Sequence, residues 1–162
     1  MSVLTKFLDA MAAVPSPVIV ATTVDASGRR WGFTGSSFTA LSADPSLVLI
    51  CLDRSASTHA AFTACDRFMV NVLADGHEPV ARRFAASGID RFAAGDMTEC
   101  EAGLPGLPGA VARLACTVHA VLDGGDHSIL VGRVEQSVVS PRVPLIYCGR
   151  FFTRPAVQAA TV

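Results

Sequence analysis

Short hydroxyl side chains gather at the mouth of one apolar segment of the chain. Residues 32–53 begin with small polar positions and end in the apolar run 47–52, which predicts a buried strand. The small positions surround Phe38 and are Thr34, Gly35, Ser36, Ser37 and Thr39. Such donors can hydrogen-bond the polar edge of a planar ring while apolar walls cover its faces. This segment is therefore the first candidate for a ligand site.

A second group of hydroxyls follows that strand. Ser57 and Thr58 open a predicted helix, and Arg54 adds a positive charge beside them. Free N–H groups at a helix N-terminus, together with nearby hydroxyls, form a common phosphate site. Ordinary helix capping by Ser55 or Ser57 explains the same residues, and the local pattern leaves both interpretations open.

His127 is the histidine best placed for chemistry. It follows Gly124, Gly125 and Asp126 at a predicted turn, where functional residues are common, and the adjacent carboxylate can tune its protonation. A lone histidine in a strand is nevertheless more often structural. No metal site is predicted, because the chain has no H-x-x-x-H pair and no paired-carboxylate motif. It also lacks the glycine-rich motifs of Rossmann and P-loop nucleotide sites.

The composition limits the remaining possibilities. The 162 residues suggest one domain spanning 1–162, and the charge of −1 argues against nucleic-acid binding. A hydrophobic content of 51% predicts burial in a core or against a second subunit, so we expect a homodimer. No apolar run reaches the length of about 20 residues that a membrane span needs, and no secretory signal is evident. Five cysteines without a C-x-x-C pair predict free thiols in a reducing cytoplasm.

These candidate residues need a scaffold, which the apolar patterns predict in outline. Helical spacing predicts an N-terminal helix at 2–14, and strands linked mostly by hairpins predict a barrel over about 17–154 with a short tail after it. The predicted strands are 18–24, 31–41, 47–52, 67–73, 110–125, 126–139, 145–148 and 150–153, with short helices at 55–65 and 77–87 and an irregular segment at 88–110. The hairpin-like last third favours a mainly β antiparallel barrel with added helices over a parallel sheet around 47–87.

Five sequence blocks in this order resemble the short-chain flavin reductases, the NAD(P)H:flavin oxidoreductase components of two-component flavin monooxygenases. The blocks are GFTGSSFTALSADPSLVLICLD, STHAAFTACDRFMVNVL, RRFA, GDHSILVGRVE and PLIYCGRFF, and the resemblance covers about residues 4–154. It is closest to reductases that serve hydroxylases of aromatic-polyketide and related pathways. It implies an FMN-binding split β-barrel, a homodimer with flavin near the subunit interface, and FAD or FMN with NADH as cofactors.

The resemblance also implies roles for individual residues. The short donors near Phe38 meet the flavin ring and its ribityl chain, Ser57 and Thr58 contact its phosphate, and His127 lies near the nicotinamide. The implied flavin contacts are Thr34, Gly35, Ser36, Ser37, Phe38, Cys51, Leu52, Asp53, Ser57, Thr58, Asn71, Arg82, Arg83, Phe84, Tyr147, Arg150 and Phe152. Gly35 and Ser36 depart from residues that many members carry, which leaves the choice between FMN and FAD open.

The expected function is therefore NADH-dependent reduction of flavin for a diffusible supply to a partner monooxygenase in the cytoplasm. Two alternatives stay open at this point. One is a flavin- or haem-binding module of the same barrel without reductase activity. The other is an enzyme like pyridoxamine-phosphate oxidase, which would need a further cluster of basic residues for its substrate phosphate. The sequence shows no such cluster.

Overall fold

The computed structural model of the chain describes residues 1–156. Within these residues, three helices, one short 3₁₀ turn and twelve strands follow one another. Their bounds are α1 Val3–Ala12, β1 Ser16–Pro17, β2 Ile19–Val24, β3 Arg30–Gly35, β4 Phe38–Ala43, β5 Ser46–Asp53, α2 His59–Ala64, β6 Arg67–Val72, α3 Glu78–Ala85, β7 Thr98–Glu99, a 3₁₀ turn Glu101–Gly103, β8 Pro105–Gly106, β9 Ala112–Gly124, β10 His127–Val139, β11 Ile146–Cys148 and β12 Phe151–Thr153.

Seven strands form the main sheet in the order β3-β2-β6-β9-β10-β5-β4. Every neighbouring pair is antiparallel, so the parallel alternative around residues 47–87 is wrong. Alternation explains how the strands close on a core, since Val48, Ile50 and Leu52 of β5 are buried and the residues between them are not. Large aromatic side chains fill this core, among them Phe62 and Phe68.

The long hairpin of β9 and β10 brings His127 to one end of the sheet. Gly125 has a φ of 78°, a conformation that glycine adopts without strain, and it allows the tight turn before β10. In the sheet register, His127 is opposite Gly124 on one side and opposite Asp53 at the end of β5 on the other. Strand pairing therefore places a histidine and a carboxylate from distant parts of the sequence at the same sheet edge.

The predicted strand at 31–41 is two strands in the structure. β3 ends at Gly35 and β4 begins at Phe38, with Ser36 and Ser37 between them. The backbone N–H of Cys51 donates to the carbonyl of Ser37 (3.2 Å). The break turns these two serines out of the regular ladder, and both are exposed.

The N-terminal helix lies within the predicted range but buries none of its side chains. Ser2 caps it by accepting a hydrogen bond from the N–H of Thr5 (3.1 Å). It is attached to the small sheet of β1, β11 and β12, where the N–H of Gly149 donates to the carbonyl of Ala12 (2.7 Å). Within residues 1–156, no helix is long and apolar enough to span a membrane.

Candidate functional site

A cleft of about 590 Å³ opens at the sheet edge that carries His127. Its walls come from the link between β3 and β4, the end of β5, the segment leading into α2, and the turn after α3. We call it the main cleft, and its lining includes Thr34, Gly35, Ser36, Ser37, Cys51, Leu52, Asp53, Ser57, Thr58, Phe84, Gly88, Arg91 and His127. The fold thus gathers most of the predicted ligand contacts from five separate segments into one space.

A smaller cleft of about 400 Å³, the side cleft, continues from the main one. The two share Thr34, Gly35, Ser36 and Ala85. The side cleft carries four more of the predicted contacts, namely Arg82, Tyr147, Arg150 and Phe152. The guanidinium of Arg82 lies 5.0 Å from the ring centre of Phe152, and Arg150 forms an ion pair with Asp9 of α1 (2.7 Å).

Three predicted contacts lie outside both clefts. Asn71 is fully buried, where its amide donates to the carbonyl of Val20 (2.9 Å) and its oxygen accepts from the N–H of Leu107 (2.9 Å). Arg83 holds both carboxylate oxygens of Asp96 at 2.6 Å. Phe38 packs against the core instead of lining either cleft. The polar groups of the first two are satisfied by the fold, and a direct contact of these three residues with flavin stays a prediction.

The hydroxyl of Thr34 is already committed to the fold. It donates to the carbonyl of Ala81 in α3 (2.6 Å), so only its oxygen lone pairs face a ligand. Gly35, in contrast, is not required by the packing of the fold. A Cβ built there would meet Phe33 at 3.4 Å and Ile19 at 3.6 Å, which is ordinary contact. Packing alone does not require a glycine at this position, so its bare backbone is available for close approach by a ligand.

The capping interpretation of the Ser55–Thr58 region is wrong. The carboxylate of Asp53 accepts hydrogen bonds from the N–H and the hydroxyl of Ser55, each at 2.7 Å. These bonds lower the pKa of Asp53. The α2 helix begins at His59 with Thr58 as its N-cap, and no side-chain capping bond is formed. Ser55 is held by the carboxylate behind it, and Ser57 and Thr58 are left for another role.

Thr58 carries the most informative polar atom of the cleft. Its side chain is 3% exposed, and its Oγ1 has no hydrogen-bond partner among residues 1–156. A buried hydroxyl without a partner costs about 1–3 kcal/mol. Such groups are rare in native proteins and call for an explanation such as a missing ligand. Thr58 is among the residues that line the main cleft, and its hydroxyl is shielded from solvent.

His127 is held in one orientation by its neighbour. Its Nδ1 lies 2.7 Å from a carboxylate oxygen of Asp126. Because an ionised carboxylate only accepts, Nδ1 carries the proton and Nε2 is free for a ligand. A second histidine, whose structural role was not expected from the sequence, connects two elements beside the cleft. Nε2 of His59 lies 2.9 Å from the hydroxyl of Ser128, which ties α2 to β10 beside the cleft.

Cys51 contributes a half-buried thiol to the cleft. Burial raises its pKa, so it stays protonated at neutral pH. It is therefore a neutral wall of the cleft and a poor nucleophile. Within residues 1–156, no group of His, Cys, Asp and Glu side chains is arranged to hold a metal ion.

A group of arginine side chains at one side of the main cleft was also not expected from the sequence. Arg91 lines the main cleft and is fixed by donating to the carbonyls of Gly32 (2.7 Å) and Ala86 (2.9 Å). A neighbouring cleft brings it together with Arg29 and Arg30 from the start of β3. No local pattern indicated such a cluster, because about sixty positions separate Arg91 from the adjacent pair Arg29 and Arg30. The expectation that the chain lacks a further group of basic residues is therefore wrong.

Comparison with known proteins agrees with this geometry. The family model described as "Flavin reductase like domain" matches residues 11–155. The chain is 43% identical to actinorhodin polyketide dimerase of Streptomyces coelicolor, over 89% of this chain and 82% of that protein. It is 40% identical to NADH:riboflavin 5'-phosphate oxidoreductase of Streptomyces pristinaespiralis, over 93% and 87% of the two chains.

The fold has a close match among solved structures. NADH:FAD oxidoreductase SgcE6 of Streptomyces globisporus, in complex with NAD and FAD fragments, superposes with a TM-score of 0.90 at 36% identity. The match covers 97% of this chain and 95% of that one. The mainly β flavin reductase fold expected from the sequence is confirmed. Its cleft fits a flavin, since the unpartnered Thr58 hydroxyl and the exposed Ser36 and Ser37 are suited to a phosphate and a polar ring edge. The chain belongs to the flavin reductase like domain family.

Proposed function

We propose that this protein is a flavin reductase that oxidises NADH and reduces FAD or FMN. The observation that carries the proposal is the buried, unpartnered hydroxyl of Thr58 in the same cleft as His127. A cleft with an unsatisfied donor at one place and a free imidazole nitrogen at another suits a phosphorylated redox cofactor with a second nucleotide beside it. Relatives named as NADH-dependent reductases of FMN and of FAD support the same conclusion.

The residues of the main cleft bind the flavin and orient it. Ser36 and Ser37 lie between two strands and outside the ladder, so their hydroxyls can bond the polar edge of the ring system. The bare backbone of Gly35 admits the ring to close distance. Thr58, with Ser57 beside it, donates to the flavin phosphate. A bound flavin supplies the hydride-accepting chemistry, and the protein contributes by holding its two substrates in reacting orientation.

His127 orients the nicotinamide in this proposal. Asp126 lies within hydrogen-bond distance of Nδ1, so Nε2 of the neutral ring presents a lone pair. An acceptor of this kind suits the carboxamide N–H₂ of the nicotinamide. The register with Asp53 keeps the ring at the sheet edge, at the mouth of the cleft. Burial of the thiol of Cys51 keeps a competing nucleophile neutral nearby.

The reduced flavin is the product delivered to a partner. Several relatives are named as reductase components or subunits of flavin-dependent monooxygenases. We propose that this chain likewise supplies a separate monooxygenase by diffusion of the reduced flavin. The similarity to a protein named for actinorhodin polyketide supports an aromatic-polyketide pathway as the setting. All five cysteines lie within residues 1–156 and are free, which supports the cytoplasm as the location.

The N-terminal helix supports a homodimer. Its apolar face points to solvent, with Phe7 55% exposed, and Phe151 of β12 is 75% exposed. The helix also presents Val3, Leu4, Leu8 and Met11, and Val14 just after it is exposed as well. An apolar helix with no buried side chain gains little from this subunit alone. A second copy of the chain would cover the face and bring the side cleft, with Arg150, next to the interface.

Steady-state oxidation of NADH by the purified chain tests the proposal. The rate should rise well above the enzyme-free rate when FAD or FMN is added. A protein that binds flavin without accelerating NADH oxidation would instead be a binding module. Oxygen-dependent turnover of pyridoxamine phosphate, without NADH, would favour the oxidase alternative.

A further inference from the structure

A third cleft joins the main one and carries a concentration of positive charge. Its volume is about 710 Å³, larger than the main cleft. We call it the arginine cleft, and its lining includes Arg29, Arg30, Trp31, Ile89, Arg91 and Phe92. β3 and the irregular segment after α3 form its two sides. The chain as a whole has a net charge of −1, so this grouping is local and not a result of general basicity.

The three guanidinium groups lack carboxylate partners. Among residues 1–156, none of Arg29, Arg30 and Arg91 forms a salt bridge. The one carboxylate of the lining, Asp90, accepts a hydrogen bond from the N–H of Phe92 (3.0 Å). The cleft therefore keeps an excess of positive charge, which favours an anionic ligand.

Planar surfaces accompany the charges. The guanidinium of Arg29 lies 4.0 Å from the ring centre of Trp31, and that of Arg30 lies 4.6 Å from the ring centre of Phe92. The indole N–H of Trp31 donates to the carboxylate of Asp25 (2.8 Å), which fixes the ring. Phe92 itself is buried in the core, so the guanidinium planes are the surfaces suited to stacking with a purine base.

The arginine cleft begins where the main cleft holds its phosphate in the proposed function. Both clefts are lined by Ser57, Thr58, Gly88 and Arg91. A ligand with a phosphate on Thr58 can therefore continue directly into the arginine cleft. FMN ends at that phosphate, whereas FAD continues with a second phosphate and an adenosine. The charge and the planar surfaces of the arginine cleft suit an anion and a purine.

We propose that the arginine cleft binds the adenylate half of FAD and makes FAD the preferred flavin of this protein. The proposal rests on the proposed flavin reduction and adds the choice of flavin. Adenosine phosphates also occur in NADH, so the chemistry is shared by both substrates. The shared lining at Thr58 assigns the cleft to the flavin, because it makes the second phosphate a continuation of the first.

Removing two charges from the arginine cleft tests the assignment. Arg29→Gln with Arg30→Gln keeps side-chain length and takes away both cations, and Arg91 stays to support the fold. Arg133→Gln is the matched control, because Arg133 is exposed on β10 and lines none of the three clefts. Dissociation constants for FAD and FMN are measured by flavin fluorescence, together with the KM for NADH.

The expected result is a loss confined to FAD. Its affinity should fall at least tenfold in the double variant, corresponding to about 1.4 kcal/mol, while FMN affinity stays within about twofold and shows that the variant is folded. Equal weakening of FMN and FAD, or unchanged FAD affinity, overturns the proposal. A raised KM for NADH with unchanged FAD affinity also overturns the proposal and indicates that the arginine cleft binds NADH. If the wild-type protein binds neither flavin, the proposed function itself has failed.

Discussion

Replacing Thr58 by valine should raise the stability of the free protein and weaken its binding of FMN. Valine keeps the shape of threonine and removes only the hydroxyl. In the free protein that hydroxyl is buried without a partner, so its loss removes a penalty instead of a bond. With FMN bound, the same hydroxyl would donate to the phosphate, and its loss removes a favourable interaction.

The magnitudes follow from these two states. Relief of an unsatisfied buried hydroxyl is worth about 1 kcal/mol or more, which corresponds to a rise in Tm of about 2–4 °C for a chain of this size. A hydrogen bond to a charged group contributes about 1.5–3 kcal/mol. FMN affinity should therefore fall roughly ten- to hundredfold.

The assay compares FMN with riboflavin, which lacks the phosphate. Titrations of both ligands and thermal melts of the free protein are made for wild type and Thr58→Val. Thr63→Val is the matched control, because Thr63 lies in the same helix and its hydroxyl donates to the carbonyl of His59 (2.9 Å). This control should lose a little stability and keep its affinity for both ligands.

Three results would contradict this role of Thr58. FMN affinity that stays within about twofold of wild type would remove Thr58 from the phosphate site. A fall in Tm as large as that of the Thr63 control would show that the hydroxyl has a structural partner in the free protein. Equal weakening of FMN and riboflavin would return the residue to a purely structural role.

Three further predictions concern other parts of the chain. His127→Ala should slow hydride transfer in the flavin-saturated enzyme more than it weakens flavin binding; a collapse of flavin affinity with unchanged turnover in rapid-mixing kinetics would contradict its role. Phe7→Glu, on the exposed face of α1, should convert a dimer to monomers in light scattering, whereas a wild-type protein that is already monomeric would count against the interface. Hydrogen bonds from Ser27 and Trp31 lower the pKa of Asp25 to about 2, so the stability it contributes is present above its unfolded pKa of about 4 and is lost as the pH falls toward 2. The stability difference between wild type and Asp25→Asn should therefore shrink over that range in acid unfolding, and a constant difference would show that the Asp25 carboxylate is not coupled to folding.

Much of the fold was predictable because its signals are local. The apolar run 47–52 and the glycines before His127 predicted the buried strand and the long hairpin. The start of α2 was not predictable in the same way. Ser55 has the residue type of a helix cap, but Asp53 behind it competes for its hydroxyl and its N–H, and the helix begins later.

The site was predictable only where its residues lie in contiguous motifs. The short donors after β3 and the pair Ser57 and Thr58 were found, and the structure places them in one cleft. Asn71 was expected in the strand beside the pocket, and its partners on Val20 and Leu107 are visible only in three dimensions. Arg91 was missed because its importance comes from tertiary proximity to Arg29 and Arg30 and not from any local pattern.

The central claim is that this chain passes hydride from NADH to a flavin held in the main cleft. Its most direct test is anaerobic mixing of the purified protein with NADH and FAD, following the loss of flavin absorbance. The account predicts rapid bleaching of the flavin that requires the protein and consumes one NADH for each flavin reduced. A flavin that binds to the protein and keeps its oxidised spectrum in the presence of excess NADH would contradict it.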